Sequence, residues 1–120
     1  MLKTSCLVLY LWRVLEQFLN HIEKHKLFEK ESKVLLAVSG GLDSMVMMQL
    51  FGEAGIPIGV AHGNFQLRGI ESDEDEVFVH SYCEKFKLPI FLRRFETEKY
   101  AHENGISIQM AARELRYAWF

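Results

Sequence analysis

One stretch constrains this chain more than any other. Lys33-Val34-Leu35-Leu36-Ala37-Val38 is a short, almost continuous apolar run, and Ser39-Gly40-Gly41-Leu42-Asp43-Ser44 follows it at once. The run shows no polar–apolar alternation, so a strand covered on both faces of a parallel sheet is expected. Residues 43–54 then read as a helix, with Met45, Val46, Met48, Leu50 and Phe51 apolar and Gly52 and Gly55 marking its end. Adjacent glycines allow a tight turn and leave backbone N–H groups free to approach an anion. The helix N-terminus adds its partial positive charge, so the turn suits phosphate. Ser39 and Ser44 can donate hydroxyl hydrogen bonds, and Asp43 can hold Mg²⁺ or cap the helix. Neither G-x-x-x-x-G-K-[ST] nor G-x-G-x-x-G is present, which excludes a Walker-type loop and a dinucleotide fingerprint. The alternative at this point is a plain strand-to-helix turn capped by Ser or Asp.

The flanking segments extend the same alternation. Leu11, Val14, Leu15, Phe18, Leu19 and Ile22 recur at helical spacing and predict a helix over about 6–27. A second strand is expected over 56–62, ending on His62, then a loop from Gly63 to Glu71. Ser72 is a good N-cap for a helix to about Lys87, with Asp73, Glu74, Asp75 and Glu76 in its first turn balancing the helix dipole. Its buried face is expected to be Val77, Phe78, Tyr82 and Phe86. Pro89 leads into a third strand, 90–95; a short helix over 97–103 ends at Asn104-Gly105, and Ser107 caps a final helix. Met45, Met47 and Met48 read as packing residues, and His21, His25, His80 and His102 as surface positions without a role. Strands alternating with helices predict an α/β fold with a doubly wound parallel sheet and right-handed crossovers.

Composition limits the function. In 120 residues, 14 Lys+Arg stand against 16 Asp+Glu, a net charge of −2. That is not the basic footprint of a free-standing nucleic-acid-binding domain. Cys6 and Cys83 form no C-x-x-C pair, so a disulfide scaffold or zinc cluster is excluded and free thiols in a reducing compartment are expected. The apolar run Cys6–Trp12 is short for a signal peptide, lacks a small-residue cleavage site and is far below the roughly 20 residues that span a bilayer. No membrane association is expected.

The turn Ser39-Gly40-Gly41-Leu42-Asp43-Ser44 resembles the PP-loop of the ATP pyrophosphatases, which cleave ATP to AMP and pyrophosphate. Two further stretches narrow the resemblance. Ala61-His62-Gly63-Asn64-Phe65-Gln66-Leu67-Arg68-Gly69, followed by Glu71-Ser72, is similar to the A-H-x-N-H-x-L-R-G-x-E-S signature of tRNA(Ile)-lysidine synthetases. Ala111-Ala112-Arg113-Glu114-Leu115-Arg116-Tyr117 is similar to their A-R-x-x-R-Y helix. The resemblance covers residues 13–120 and leaves 1–12 as an N-terminal extension. Phe65 departs from it, standing where the pattern has a second His, so no proton-transfer or metal role carries over to that position.

The resemblance implies an adenine nucleotide alpha hydrolase-like, Rossmann-like fold, present here as the first part of a PP-loop domain with about three strands. It also implies the ligation of lysine to C2 of the wobble cytidine of tRNA(Ile), through an adenylated cytidine and with release of AMP and pyrophosphate. ATP and Mg²⁺ are the implied cofactors. The implied partners are tRNA(Ile) with a CAU anticodon and free L-lysine, with the oligomeric state open and a homodimer one arrangement. A cytoplasmic location is expected from the free thiols. Ser39, Gly40, Gly41, Leu42, Asp43, Ser44 and His62 would bind the nucleotide, Asp43 also holding Mg²⁺. Asp43 and Arg113 would be catalytic, and Arg68 and Arg116 would contact substrate or phosphate. In this reading the 120-residue piece alone is inactive. The same loop also occurs in tRNA thiolases and amide-forming ATP pyrophosphatases, and a non-catalytic nucleotide-binding fragment is a further alternative. Thiolases usually carry paired cysteines, which Cys6 and Cys83 do not supply, and amide-forming enzymes lack the L-R-G and A-R-x-x-R-Y stretches.

Overall fold

Why the chain folds as it does is clearest at the sheet. A computed structural model describes residues 2–29 and 31–120, with side chains from Trp12 onward. Three parallel strands, β1 (Val34–Ala37), β2 (Ile58–Asn64) and β3 (Ile90–Arg94), lie in the order β1-β2-β3. Helices α1 (Leu2–His25), α2 (Leu42–Glu53) and α3 (Ile70–Lys85) alternate with them, and α4 (Thr97–Asn104) and α5 (Ile108–Trp119) follow β3. Every predicted element is present. The Cys6 thiol and the apolar residues before Trp12 lie outside the described side chains.

The register sets which residues meet. Leu36 pairs with Val60, and Val60 with Ile90, so these share one face of the sheet. On that face Leu36, Val38, Ile58 and Val60 pack with Met48 and Phe51 of α2 and with Val79 and Cys83 of α3. Val60, Val79 and Cys83 are wholly buried; burial pushes the Cys83 thiol above its usual range, so it is an inert packing group. Phe18 of α1 meets Phe51 edge-on at 5.1 Å between ring centres.

Three expectations fail here, each for a tertiary reason. β1 is covered on one face only: Leu36 is buried, whereas Leu35 is 57% exposed. It is an edge strand, and its second face carries no helix among the described residues. The α3 face is also rotated. Glu76, Val79 and Cys83 are buried while Val77, Phe78 and Phe86 are more than half exposed. Finally, α3 starts at Ile70 after Gly69, so Ser72 is not its N-cap. The Ser72 hydroxyl instead accepts from the Arg68 N–H at 3.1 Å and closes the preceding loop. The two other caps form as expected: Ser107 accepts from the Met110 N–H, and Gly105 is left-handed after α4.

The rotation of α3 follows from its acidic run, which does more than balance a dipole. Glu76 is 8% exposed and receives two hydrogen bonds from Arg94 of β3, at 2.9 and 2.7 Å. Asn64 of β2 donates to Asp73 at 2.9 Å and to Glu76 at 3.3 Å. The Arg94 guanidinium holds the Glu76 carboxyl below the ordinary carboxylate range, against the opposing effect of burial. Because the folded value is lowered, this pair contributes stability above the ordinary carboxylate value of about 4.3 and loses it as pH falls through the folded value. Glu76→Gln is expected to lower the melting temperature at pH 7 by about 5 °C. Thermal melts should also show a gap between wild type and variant that narrows below about pH 4.3.

Candidate functional site

β1 ends at Ala37, and the chain turns through Val38 to Gly41 into α2. Gly40 takes φ +93°, a conformation that side chains rarely adopt. A Cβ built there would meet the Asp75 Cβ at 3.0 Å, so the α3 side chain fills the space that only glycine leaves. Gly41 has an ordinary φ of −72° and more room, its nearest neighbour being the Ser39 hydroxyl at 3.4 Å. Of the two glycines, Gly40 is therefore the constrained one.

The backbone donors of this turn are not free. The Gly40 N–H donates to the Ser44 hydroxyl at 3.2 Å, and the Gly41 N–H to the Ser39 hydroxyl at 3.2 Å. Ser44 donates in turn to the Gly41 carbonyl at 3.0 Å. The two hydroxyls thus hold the donors that an anion would take, and keep the turn in shape until exchanged. Gly41 precedes α2 with no side-chain cap, and Asp43 is exposed in the first helical turn. Neither a Ser nor an Asp caps this helix, which leaves its N-terminus open toward the turn.

Beside the turn lies a cleft of about 450 Å³. Ser39, His62, Arg68 and Arg116 line it, so four of the expected residues converge from the β1–α2 turn, β2, the β2–α3 loop and α5. Gly40 to Ser44 are not among its lining residues. Arg113 is not brought in: its guanidinium lies over the Tyr117 ring on its own helix, at 5.5 Å. It shares a helix with Arg116 but serves a different surface, and neither arginine forms an ion pair with Glu103 or Glu114 among the described residues. Glu114 accepts from the Tyr100 hydroxyl instead.

Several cleft residues escaped sequence reasoning. Phe65 stacks on Phe95 with ring centres 5.0 Å apart, and the Arg116 guanidinium lies over Phe65 at 5.1 Å. Trp119 meets Phe95 edge-on at 5.7 Å. Gly63 makes room for this stack, since a Cβ there would press on both Phe rings at 3.1 Å. Phe65, standing where a His was expected, is thus the seat on which Arg116 rests. Asp75 was the other miss. It pairs with Arg68 at 3.0 Å, tying the β2–α3 loop to the glycine turn. That loop is well anchored: Asn64 accepts from the Gln66 N–H at 2.9 Å, and the Thr97 hydroxyl donates to the Phe65 carbonyl at 2.8 Å. Only the H-x-N and L-R-G spacing hinted at these links.

His62 is 2% exposed at the cleft floor, with Nδ1 2.7 Å from the Val38 carbonyl. Among the described residues, no group of three or more His, Cys, Asp or Glu gathers into a metal cage.

A parallel strand, a glycine turn and an uncapped helix N-terminus, opening on a basic and aromatic cleft, define a phosphate-loop α/β domain. The sequence matches the PP-loop domain family over residues 11–120, and the chain belongs to that family. It is 46% identical over 105 residues to a tRNA(Ile)-lysidine synthase of Bacteroides thetaiotaomicron, covering 88% of this chain and 25% of that protein. Proteins of the same name are 48% identical over 100 residues in Porphyromonas gingivalis (82% and 22% covered) and 36% identical over 111 residues in Clostridium acetobutylicum (89% and 24%). The chain thus spans about a quarter of the length of these relatives. Among the described residues no helix is long and apolar enough to cross a membrane.

If the Gly40 conformation organises the turn, Gly40→Ala should weaken nucleotide binding about tenfold or more, while Gly41→Ala stays within a few-fold. Titration calorimetry on both variants tests this order.

Proposed function

We propose that the chain is the ATP-binding part of a tRNA(Ile)-lysidine synthetase. The observation that carries this reading is the juxtaposition of the Ser39–Ser44 turn with a cleft bearing His62, Arg68 and Arg116. The relatives' shared name, tRNA(Ile)-lysidine synthase, supports tRNA(Ile) as a substrate, and the motif resemblance implies the chemistry. ATP would adenylate the C2 oxygen of the wobble cytidine of tRNA(Ile) with a CAU anticodon, releasing pyrophosphate. The ε-amine of L-lysine would then attack C2, release AMP and give up a proton. With those substrates the reaction would be cytoplasmic.

Residue roles follow from position. Ser39, Gly40, Gly41, Leu42 and Ser44 would cradle the phosphates, the backbone N–H groups passing from the two hydroxyls to phosphate oxygens. Arg116 and Arg68 would meet the charge that develops on the leaving group, guanidinium suiting phosphate better than ammonium does. Arg68 must give up Asp75 in part to do so. The resemblance assigns Arg113 a catalytic role, which requires its side chain to leave the Tyr117 ring. His62 would stand beside the nucleotide at the cleft floor.

Mg²⁺ fits this donor set as a companion of the nucleotide. Asp43 in the first turn of α2 and Asp75 against Gly40 are the carboxylates at hand. Mg²⁺ characteristically takes one or two protein carboxylates and completes its sphere with phosphate oxygens and water. When bound it would neutralise charge on the departing pyrophosphate.

The full-length protein carrying this chain is expected to incorporate labelled lysine into tRNA(Ile) only with ATP. ATP-independent incorporation, or none, would refute the assignment. Arg116→Ala should cut the rate about a hundredfold while the melting temperature stays within a few degrees.

A further inference from the structure

β1 and β2 pair only as far as Ala37 with Ala61, yet β2 goes on pairing with β3 as far as Asn64 with Arg94. Val38 stands where β1 leaves the sheet. Its N–H still donates to the Ala61 carbonyl at 2.9 Å. Had the ladder run one step further, a backbone N–H of β2 would fill the Val38 carbonyl. The His62 side chain fills it instead, at 2.7 Å. Val38 is 3% and His62 2% exposed, so the bond is buried and its loss would leave the carbonyl without a protein partner.

The bond also fixes the ring. A carbonyl has no proton to give, so Nδ1 carries the hydrogen, and in the neutral imidazole Nε2 is a bare acceptor. Nε2 has no partner among the described residues. His62 therefore has one end engaged with the strand that leads into the turn and one end idle.

We propose that His62 is a positioning residue for the phosphate turn, acting through Nδ1 rather than touching the nucleotide through Nε2. The side-chain donor lets β1 part from β2 without orphaning a buried carbonyl. It also fixes the Val38–Ser39 peptide plane, and Ser39 holds the Gly41 N–H through its hydroxyl. Losing the bond frees that plane to rotate and carries Ser39 and the glycines with it. This inference rests on the reading that the turn binds ATP, and it changes what His62 does there.

Asn and Gln separate the two ends of the ring. Asn sets an N–H near the place of Nδ1, whereas Gln sets its amide near the place of Nε2. ATP–Mg²⁺ binding to the full chain is measured by calorimetry, with hydrogen exchange at the Gly40 and Gly41 amides followed in parallel. His62→Asn is expected to bind within about threefold of wild type, and His62→Gln and His62→Leu about tenfold or more weaker. Exchange at the two amides should quicken in the Gln and Leu variants and not in the Asn variant. Retention by Gln with loss by Asn would overturn the proposal in favour of a direct Nε2 contact. Equal behaviour of Asn and Gln would overturn it as well. A wild-type chain that binds no ATP would defeat the nucleotide reading alone, since the exchange comparison still decides the role of His62.

Discussion

Gly40 adopts φ +93° with the Asp75 side chain packed where a Cβ would stand, and much of the site is connected through that contact. Asp75 holds Arg68, and the Arg68 N–H is closed by Ser72. The loop that bears Arg68 is pinned at its start by Asn64. Asn64 in turn donates to Asp73 and Glu76, and Glu76 binds Arg94. The glycine turn after β1 and the loop after β2 are therefore one mechanical unit, joined through the first two turns of α3. A change at either end of this chain of contacts alters the cleft between them.

The cleft itself comes from strand geometry. Open parallel sheets bind ligands beyond the carboxyl ends of their strands. Here β1 stops at Ala37, while β2 continues with β3 for three more pairs. Aromatic packing builds the opposite wall. Phe65, Phe95 and Trp119 bring α5 against the end of β2 and present Arg116 to the opening. A cation resting on a ring keeps its charge available while its position is restricted.

Much of this could be read from residue order. The glycine turn, its place between strand and helix, the strand–helix alternation and the caps at Gly105 and Ser107 all depend on neighbours in sequence. What escaped the reading depended on distant partners. Val77 and Phe78 look like core residues by hydropathy, but burying Glu76 on Arg94 turns them outward. Ser72 looks like a cap, but Gly69 starts the helix earlier and its hydroxyl serves Arg68. Arg113 and Arg116 lie three apart on one helix, yet Arg113 rests on a ring of its own helix and Arg116 on a ring from another segment.

The sequence by itself determined the α/β alternation, the glycine turn and three motif segments, because period, glycine placement and capping are local properties. Tertiary structure decided which side chains share the cleft. It placed His62 under Val38, Asp75 against Gly40 and Arg116 on Phe65, and it left Arg113 outside. The physical reason is that these pairings rest on strand register and helix rotation, and both are set by burial balanced over the whole sheet.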